Sequence, residues 1–358
     1  MTLPYSFPTL ANAEVLGNRR KRLYIGAYGF EKRSLGWVDH QHSRHNTLTS
    51  AIVFHYQPPK GKNLVSQLRN KIEKLGVSRP QIVKHNPAFP HPTENALGRV
   101  LATVLPNVDE VIVDITAMTK LLILITLFKL QDCDKRVRII YSEAEDYAPS
   151  EKEYESSKSE MEFFAKRPSR GFEAIIRAQC LSSIRMQGQP LSLIAFTSFN
   201  EQLVRHMLGS IIPHHLFFIN GRPPRPDFAW RERATQEIHA PIIGEYPSDN
   251  PIEATTGKLI RAAGTMDFKE TFVKIDEIYR QYGLYERIIC AATGSKMQTV
   301  GLFFAKVAHP DIHIEYPTPD SYFVKGLSKG IRAVHEVVFE NFRAFAQILK
   351  AARVSSPV

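Results

Sequence analysis

Cysteine is scarce. Only Cys133, Cys180 and Cys290 occur in 358 residues, and their spacing suits neither a disulfide framework nor a metal knot. This excludes a disulfide-stapled secreted domain and points to a reducing, cytoplasmic setting. Long hydrophobic runs are also missing. The longest, Leu121 to Phe128, falls far short of the ~20 apolar residues that cross a bilayer, so it reads as a buried helix and no membrane partner is expected. The amino terminus has no charged-then-apolar export pattern; Arg19-Arg20-Lys21-Arg22 stands directly before the first strand-like segment instead. Several enzyme fingerprints are absent: the Gly-x4-Gly-Lys-Ser/Thr phosphate loop, GxGxxG, HExxH, a Ser-His-Asp elbow and a Cys-His pair. No cofactor is expected.

The bulk of the chain is ordinary. Hydrophobic residues make up 43% and charged residues 23%, as in a globular protein long enough for two domains with separate cores. Forty-six Lys and Arg against 36 Asp and Glu give a formal charge of +10. That excess suits an anionic partner and leaves nucleotide, nucleic acid and acidic protein open, beside plain solubility.

The most informative feature is a repeat. Thr-Ala-Met-Thr-Lys at 116–120 follows the apolar run Val111-Ile112-Val113, and Thr-Gly-Ser-Lys at 293–296 follows Ile288-Ile289-Cys290. Each leads into a helix-like stretch, a strand-like stretch and a Tyr-x5-Tyr element, Tyr141 to Tyr147 and Tyr316 to Tyr322. Lys296 minus Lys120 is 176, and Tyr322 minus Tyr147 is 175. Outward from these, Tyr24 to Tyr28 followed by Gly29-Phe30-Glu31 parallels Leu193 to Thr197 followed by Ser198-Phe199-Asn200. Pro58-Pro59-Lys60 parallels Pro223-Pro224-Arg225, and Ser169-Arg170-Gly171 parallels Ser328-Lys329-Gly330. Two ordinary domains of one class explain paired strands, but not the paired Pro-Pro-basic and Ser-basic-Gly triplets. The sequence therefore predicts a tandem duplication, with two copies able to build one shared, pseudo-symmetric ligand site.

Strand-like segments fall near 22–28, 50–56, 81–84, 109–115 and 136–141, and again near 191–197, 215–219, 286–291 and 312–316. Helical periodicity lies between them at 63–75, 93–105 and 119–130, then at 200–209, 227–238, 269–282 and 296–308. Alternation predicts an α/β protein of two tandem Rossmann-like domains with mainly parallel sheets, arranged as an internal pseudo-dimer. The expected boundaries are an N-terminal arm at 1–21, a first domain at 22–188 and a second at 189–358, with the break at Met186 to Pro190. Residues 143–168 read as an exposed helix and a linker at Lys166-Arg167-Pro168, with the segment from Ser169 adding an antiparallel strand to the first sheet. Residues 240–268 read as an insertion. Glu336 to Ala351 reads as an amphipathic helix covering its own domain.

In an open parallel sheet, ligands bind beyond the carboxyl ends of the strands. The two Thr/Ser-Lys loops lie there by construction, each opening a helix whose first N–H groups and dipole favour a phosphate. Thr116, Thr119, Thr293 and Ser295 add hydroxyls, Lys120 and Lys296 add charge, and Gly294 permits close approach. Simple caps with solvated lysines are the competing explanation for either loop alone. Phe30, Arg33, Phe199 and Asn200 lie on the neighbouring loops, where an aromatic ring stacks on a base and an amide pairs with a base edge, or where the rings pack into the core. Gln298 joins the candidate ligand-binding set. Lys60, Arg225, Tyr147 and Tyr322 are secondary candidates.

The first-strand loop, followed later by strand, Thr-Gly-x-Thr/Ser-Lys and helix, resembles the CRISPR-associated Rossmann fold (CARF) domain, and two such units in one chain resemble the related SAVED domain. Thr293, Gly294, Ser295 and Lys296 match the loop; Thr116 to Lys120 depart from it, with Ala117 and Met118 where glycines are usual. The resemblance implies a sensor that binds a cyclic oligonucleotide or similar phosphate-bearing ligand between its repeats in bacterial antiviral defence. No attached effector domain is recognisable, so it implies regulation of a separate effector protein. Alternatively, the chain is a metal-independent, ring-nuclease-like phosphodiesterase in which Lys120 or Lys296 stabilises the developing charge. A basic nucleic-acid-binding or scaffolding subunit is a further alternative. A metal hydrolase built on His40, His42 and His45 lacks a completing carboxylate or cysteine cluster.

Overall fold

The computed structural model describes residues 6–41, 47–58, 64–157, 163, 166–245, 261–322 and 327–354. The chain forms two compact units, Met1–Tyr147 with Val324–Val358, and Ala148–Phe323.

The strands in chain order are β1 (Ala11–Asn12), β2 (Arg22–Ala27), β3 (Ser50–Tyr56), β4 (Gln81–His85), β5 (Glu110–Asp114), β6 (Arg136–Glu143), β7 (Asp146–Tyr147), β8 (Ser169–Arg170), β9 (Ala174–Ile176), β10 (Leu191–Phe196), β11 (His215–Arg222), β12 (Ala262–Gly264), β13 (Arg287–Ala291), β14 (His313–Thr318), β15 (Ser321–Tyr322), β16 (Ser328–Lys329) and β17 (Ala333–Phe339). The sheet of the first unit runs β1-β17-β6-β5-β2-β3-β4. Its pairs from β6 to β4 are parallel, and β17 joins β6 antiparallel. The sheet of the second unit runs β12-β11-β10-β13-β14-β9, again parallel except for β9 on β14. The order β4-β3-β2-β5-β6-β17 is thus repeated by β12-β11-β10-β13-β14-β9. Both are doubly wound α/β sheets of the Rossmann-like class, reversing direction between β2 and β5 and between β10 and β13.

Burial follows from this layering. Every residue of β2, β5 and β14 is buried, as expected for strands covered on both faces. The helix Lys120–Leu130 is buried from Leu121 to Leu127 and the helix Lys296–Ala308 from Met297 to Ala308. Their nearly unbroken apolar sequences suit central helices.

Several expected boundaries differ. The first antiparallel strand after the Ser169 segment, β9, pairs with β14 in the second unit rather than extending the first sheet: Ile176 lies opposite Tyr316, and Thr318 Oγ1 donates to the Ala174 carbonyl at 3.0 Å. Conversely, residues 333–339 form β17 in the first unit, not the start of a helix. The helix after it, Phe342–Val354, is anchored to the first unit by N–H bonds from Phe342 and Arg343 to the carbonyls of Lys135 and Cys133. The units therefore divide at 147/148 and 323/324 rather than at 188/189. Within 143–168 the exposed helix is Glu151–Glu155, but Arg167 is no solvated linker residue: it is 1% exposed and donates to Glu201 at 2.5 Å. The arm is partly packed, since Phe7 is buried against Phe345 at 5.2 Å and β1 pairs with β17. The stretch 240–268 is not wholly an insertion. It opens with the end of the helix Trp230–Glu245 and closes with β12, which takes the edge position that β4 holds in the first unit.

Candidate functional site

In the first unit the loops after β2 and β5 leave neighbouring strands at the carboxyl edge of the sheet. They touch: a Cβ on Gly29 would lie 2.9 Å from the Ala117 Cβ, so the absence of a side chain at 29 is what lets them meet. Thr119 caps the helix Lys120–Leu130, its hydroxyl accepting the Leu122 N–H at 3.3 Å. The Tyr56 hydroxyl clasps the same turn, accepting the Thr119 N–H at 2.8 Å and donating to the Ala117 carbonyl at 3.0 Å. Thr116 is buried and tied inward. Its Oγ1 accepts the Ser142 N–H at 2.9 Å, and its own N–H donates to Asp114 Oδ1 at 3.0 Å. Asp114 Oδ2 in turn accepts from the Tyr24 hydroxyl at 3.2 Å. Burial, with Asp114 alongside, pushes the Tyr24 hydroxyl well above its ordinary value.

Lys120 occupies the first helical position and is half-buried. Burial pushes its ammonium down to about 8. Phe30 is half-buried on the neighbouring loop. Arg33 is buried and engaged: it donates to Glu31 Oε2 at 2.9 Å, Ser328 Oγ at 3.2 Å and the Ser142 carbonyl at 3.2 Å, and lies 5.7 Å from the centres of the Tyr141 and Tyr147 rings. The Tyr147 hydroxyl lies 3.0 Å from that of Tyr141 and accepts the Ala144 N–H at 2.9 Å. Arg33 and Tyr147 thus hold one loop-to-strand clasp together.

The second unit repeats the plan with different chemistry. Thr293 is buried, its hydroxyl donating to the Phe196 carbonyl at 2.8 Å and accepting the Phe196 N–H at 2.9 Å. Ser295 and Gln298 form a capping box at the start of the helix Lys296–Ala308: Ser295 Oγ accepts the Gln298 N–H at 3.0 Å, and Gln298 Oε1 accepts the Ser295 N–H at 2.8 Å. Both side chains also reach the β12 region, through the carbonyls of Thr265 and Ala263. A Cβ on Gly294 would meet Gln298 Oε1 at 2.5 Å and Phe196 Cγ at 2.8 Å. Glycine at 294 therefore serves close packing inside the turn. Lys296 is half-buried at the first helical position, as Lys120 is in its own unit.

Phe199 is half-buried among Trp230 (5.9 Å) and Phe163 (6.0 Å), with the Arg231 guanidinium 4.8 Å from its ring centre. Asn200 is 2% exposed; its Nδ2 donates to the Gly171 carbonyl at 3.1 Å and Ser169 Oγ at 3.4 Å, while Oδ1 is buried with no hydrogen-bond partner among the described residues. Tyr322 pairs with Ser169 across β8 and β15, as Tyr147 pairs with Ser328 across β7 and β16. The glycines of the two triplets, Gly171 and Gly330, take φ of 64° and 68°, a backbone state that favours glycine. The repeated Ser-basic-Gly triplets and second tyrosines are therefore partners in a small antiparallel clasp, and Arg33 and Asn200 fasten it in their respective units.

Arg225 is paired with Asp227 and lies 4.2 Å from the centre of the Phe228 ring, which Arg231 also approaches at 5.5 Å. Lys60, His42 and His45 lie outside the described residues. His40 has its Nε2 2.8 Å from the Ala13 carbonyl. Sequence reading missed Tyr56, Asp114, Arg167, Glu201 and Arg231. The regular alternation of strands and helices could not reveal that these would converge on the loop tips.

No family model matches the chain, and no curated protein matches it. Among solved structures, a universal stress protein candidate from Pseudomonas aeruginosa UCBPP-PA14 superposes with a TM-score of 0.23 at 13% identity, covering 84% of this chain and 94% of that chain. A functionally unknown protein from Pseudomonas aeruginosa PAO1 superposes with a TM-score of 0.23 at 11% identity, covering 95% and 99%. Superpositions this loose carry no argument, and the doubly wound class rests on this chain's own strand order. Among the described residues, no helix is long and apolar enough to cross a membrane.

Proposed function

We propose that this chain is a sensor that binds a phosphate-bearing ligand, a cyclic oligonucleotide in the reading drawn from its CARF- and SAVED-like loops, and that the bound state regulates a separate effector. One observation carries the reading. Each unit places a half-buried lysine, Lys120 or Lys296, at the first position of a capped helix beyond the carboxyl end of a central strand. A cation there opposes the positive end of the helix dipole and loses hydration. A bound phosphate relieves both effects and adds N–H contacts from the first turn. The threonines and Ser295 serve as caps and straps in this reading, so the lysines and the first-turn N–H groups supply the recognition.

The test is calorimetric titration and thermal-shift screening of the full chain with cyclic di-, tri- and tetranucleotides at one salt concentration. Lys120→Ala and Lys296→Ala are each expected to weaken binding by about 1–3 kcal/mol. Unchanged affinity in the double variant removes the proposal. Linear products after incubation would make the chain a phosphodiesterase. A steep salt dependence with long nucleic acid and no response to small nucleotides would make it a nucleic-acid binder.

A further inference from the structure

A second cluster lies in the second unit at the opposite, amino-terminal edge of its sheet, away from the capped helix starts. His214 immediately precedes β11, His215 opens it, and Glu286 stands one residue before β13. Successive residues of a strand point to opposite faces, but His214 lies outside the strand, so both imidazoles turn to the same carboxylate. The His214 backbone N–H donates to the Leu191 carbonyl at 2.7 Å, which fixes the entry into β11. His214 Nδ1 lies 3.3 Å from Glu286 Oε1, and His215 Nδ1 lies 2.8 Å from Oε1 and 3.0 Å from Oε2. One ligand atom from each of the three residues falls within 4.8 Å of the others, the one such grouping found among the described residues.

The geometry points to a binding site for a first-row divalent transition metal of the zinc type, with His214, His215 and Glu286 as protein ligands. Tetrahedral ligands at ~2.0–2.1 Å from zinc stand ~3.3 Å apart, close to the 2.8–3.3 Å at which the two imidazole nitrogens already stand from the Glu286 carboxylate. Two imidazoles and one carboxylate suit zinc and its neighbours rather than magnesium or calcium, which prefer oxygen-rich shells. The remaining parts of a metal site are also in place. The Ser192 hydroxyl on β10 donates to Glu286 Oε2 and orients the carboxylate. His215 is half-buried against Tyr282, with ring centres 4.9 Å apart, which fixes its plane. The His214 side chain is 65% exposed, so the metal would be reached from solvent and keep a water as fourth ligand.

The experiment uses the full chain stripped with a chelator and titrated with Zn2+ by calorimetry, with Co2+ as a spectroscopic replacement. The expected result is one equivalent bound, an intense tetrahedral Co2+ spectrum, and at least a tenfold loss of affinity for that equivalent in His214→Ala and in His215→Ala. Because His214 is mostly exposed, its removal leaves the core intact, and an unchanged far-UV spectrum verifies this. Ser192→Ala keeps all three ligands and is expected to weaken binding about tenfold through the loosened carboxylate. Zinc uptake unchanged in His214→Ala overturns the proposal and leaves the cluster as hydrogen-bonded histidines and a carboxylate. Uptake lost in a His40→Ala, His42→Ala, His45→Ala triple variant but kept in His214→Ala assigns the metal elsewhere and overturns it equally.

Discussion

Replacing Lys120 with methionine separates stability from function. The substitution keeps most of the apolar stem of the side chain and removes the ammonium with its N–H donors. In the unfolded chain the ammonium holds its proton up to its ordinary value of 10.5, whereas in the folded chain burial brings this down to about 8. The difference between those values, at about 1.36 kcal/mol per pH unit, sets an upper penalty of ~3.4 kcal/mol for a dry site. Lys120 is only half-buried, and solvent screening reduces the penalty to about 1–2 kcal/mol. The sign follows from linkage. Between pH 8 and 10.5 the unfolded state binds more protons than the folded state, so stability rises with pH across that window, and below pH 8 the penalty is present in full. Lys120→Met is therefore expected to be about 1–2 kcal/mol more stable than the wild type at pH 7, with the gap closing as pH rises toward 10. The same variant should lose affinity for the anion. Urea denaturation of both proteins at pH 7, 8.5 and 9.5, read on the transition of the first unit, gives the first quantity. Calorimetry in buffers of different ionisation enthalpy gives the second, since an anion that restores the ammonium draws a proton from buffer near pH 8–9. A wild type that matches or exceeds Lys120→Met at pH 7, or a gap that does not narrow with pH, refutes the reasoning.

Glu110→Gln should destabilise the first unit by about 3–5 kcal/mol in chemical denaturation. Glu110 is fully buried and accepts from Arg22 Nε and Arg138 Nε, each at 2.6 Å, so the substitution removes the carboxylate that pairs with the buried Arg22, while Arg138 keeps Glu336 at 2.7 Å. Burial pushes its carboxyl up, but the bonds from Arg138 and Arg22 outweigh this and hold it below the usual range; its contribution is present above the unfolded value and disappears as pH falls through the folded one. Ser295→Ala should lower the stability of the second unit by about 1 kcal/mol, read as a reduced urea midpoint, because the Gln298 N–H and the Thr265 carbonyl both lose a partner. Burial pushes His85 and His239 down to about 4, so both stay neutral while the unfolded chain protonates near 6.5. Stability should then fall as pH drops from about 6.5 to about 4, and a melting series over that range should be flatter in His85→Leu and His239→Leu.

Much of the architecture was legible because periodicity and burial agree. Leu121 to Phe128 is apolar but for Thr126 and forms a helix buried from Leu121 to Leu127. The runs around Val111 and Ile288 read as buried parallel strands and are so. The failures share a cause, which is that the deciding partner is remote in sequence. Ala174–Ile176 is too short to show a period, and its place is set by Tyr316 to Thr318, some 140 residues on. Ala262–Gly264 has small side chains and no apolar signal, yet it completes the edge of its sheet. In 336–351, Val337 and Val338 fit a helical stripe as well as a strand. Pairing with Val137 to Glu143 decides for the strand, and helix begins only at Phe342.

The repeated motifs were easier to find than to interpret, and the structure changes what they say. The paired Ser-basic-Gly triplets and second tyrosines bond to each other. The buried threonines strap neighbouring strands, Thr119 and Ser295 cap helices, and Gly294 makes room for Phe196 and Gln298. Each of these roles would be required of the fold with or without a ligand, so the repetition of those residues is evidence for two copies of an architecture and not for recognition. Lys120 and Lys296 stand apart from that explanation. A cap is complete once its hydroxyl has accepted an N–H, and it asks nothing of the next residue. At that next position the helix field opposes a positive charge, and partial burial opposes it further. The charge at these two positions is the part of the repeat that capping does not account for and that the proposed phosphate would engage, so Lys120→Ala and Lys296→Ala are the variants on which the proposal is decided.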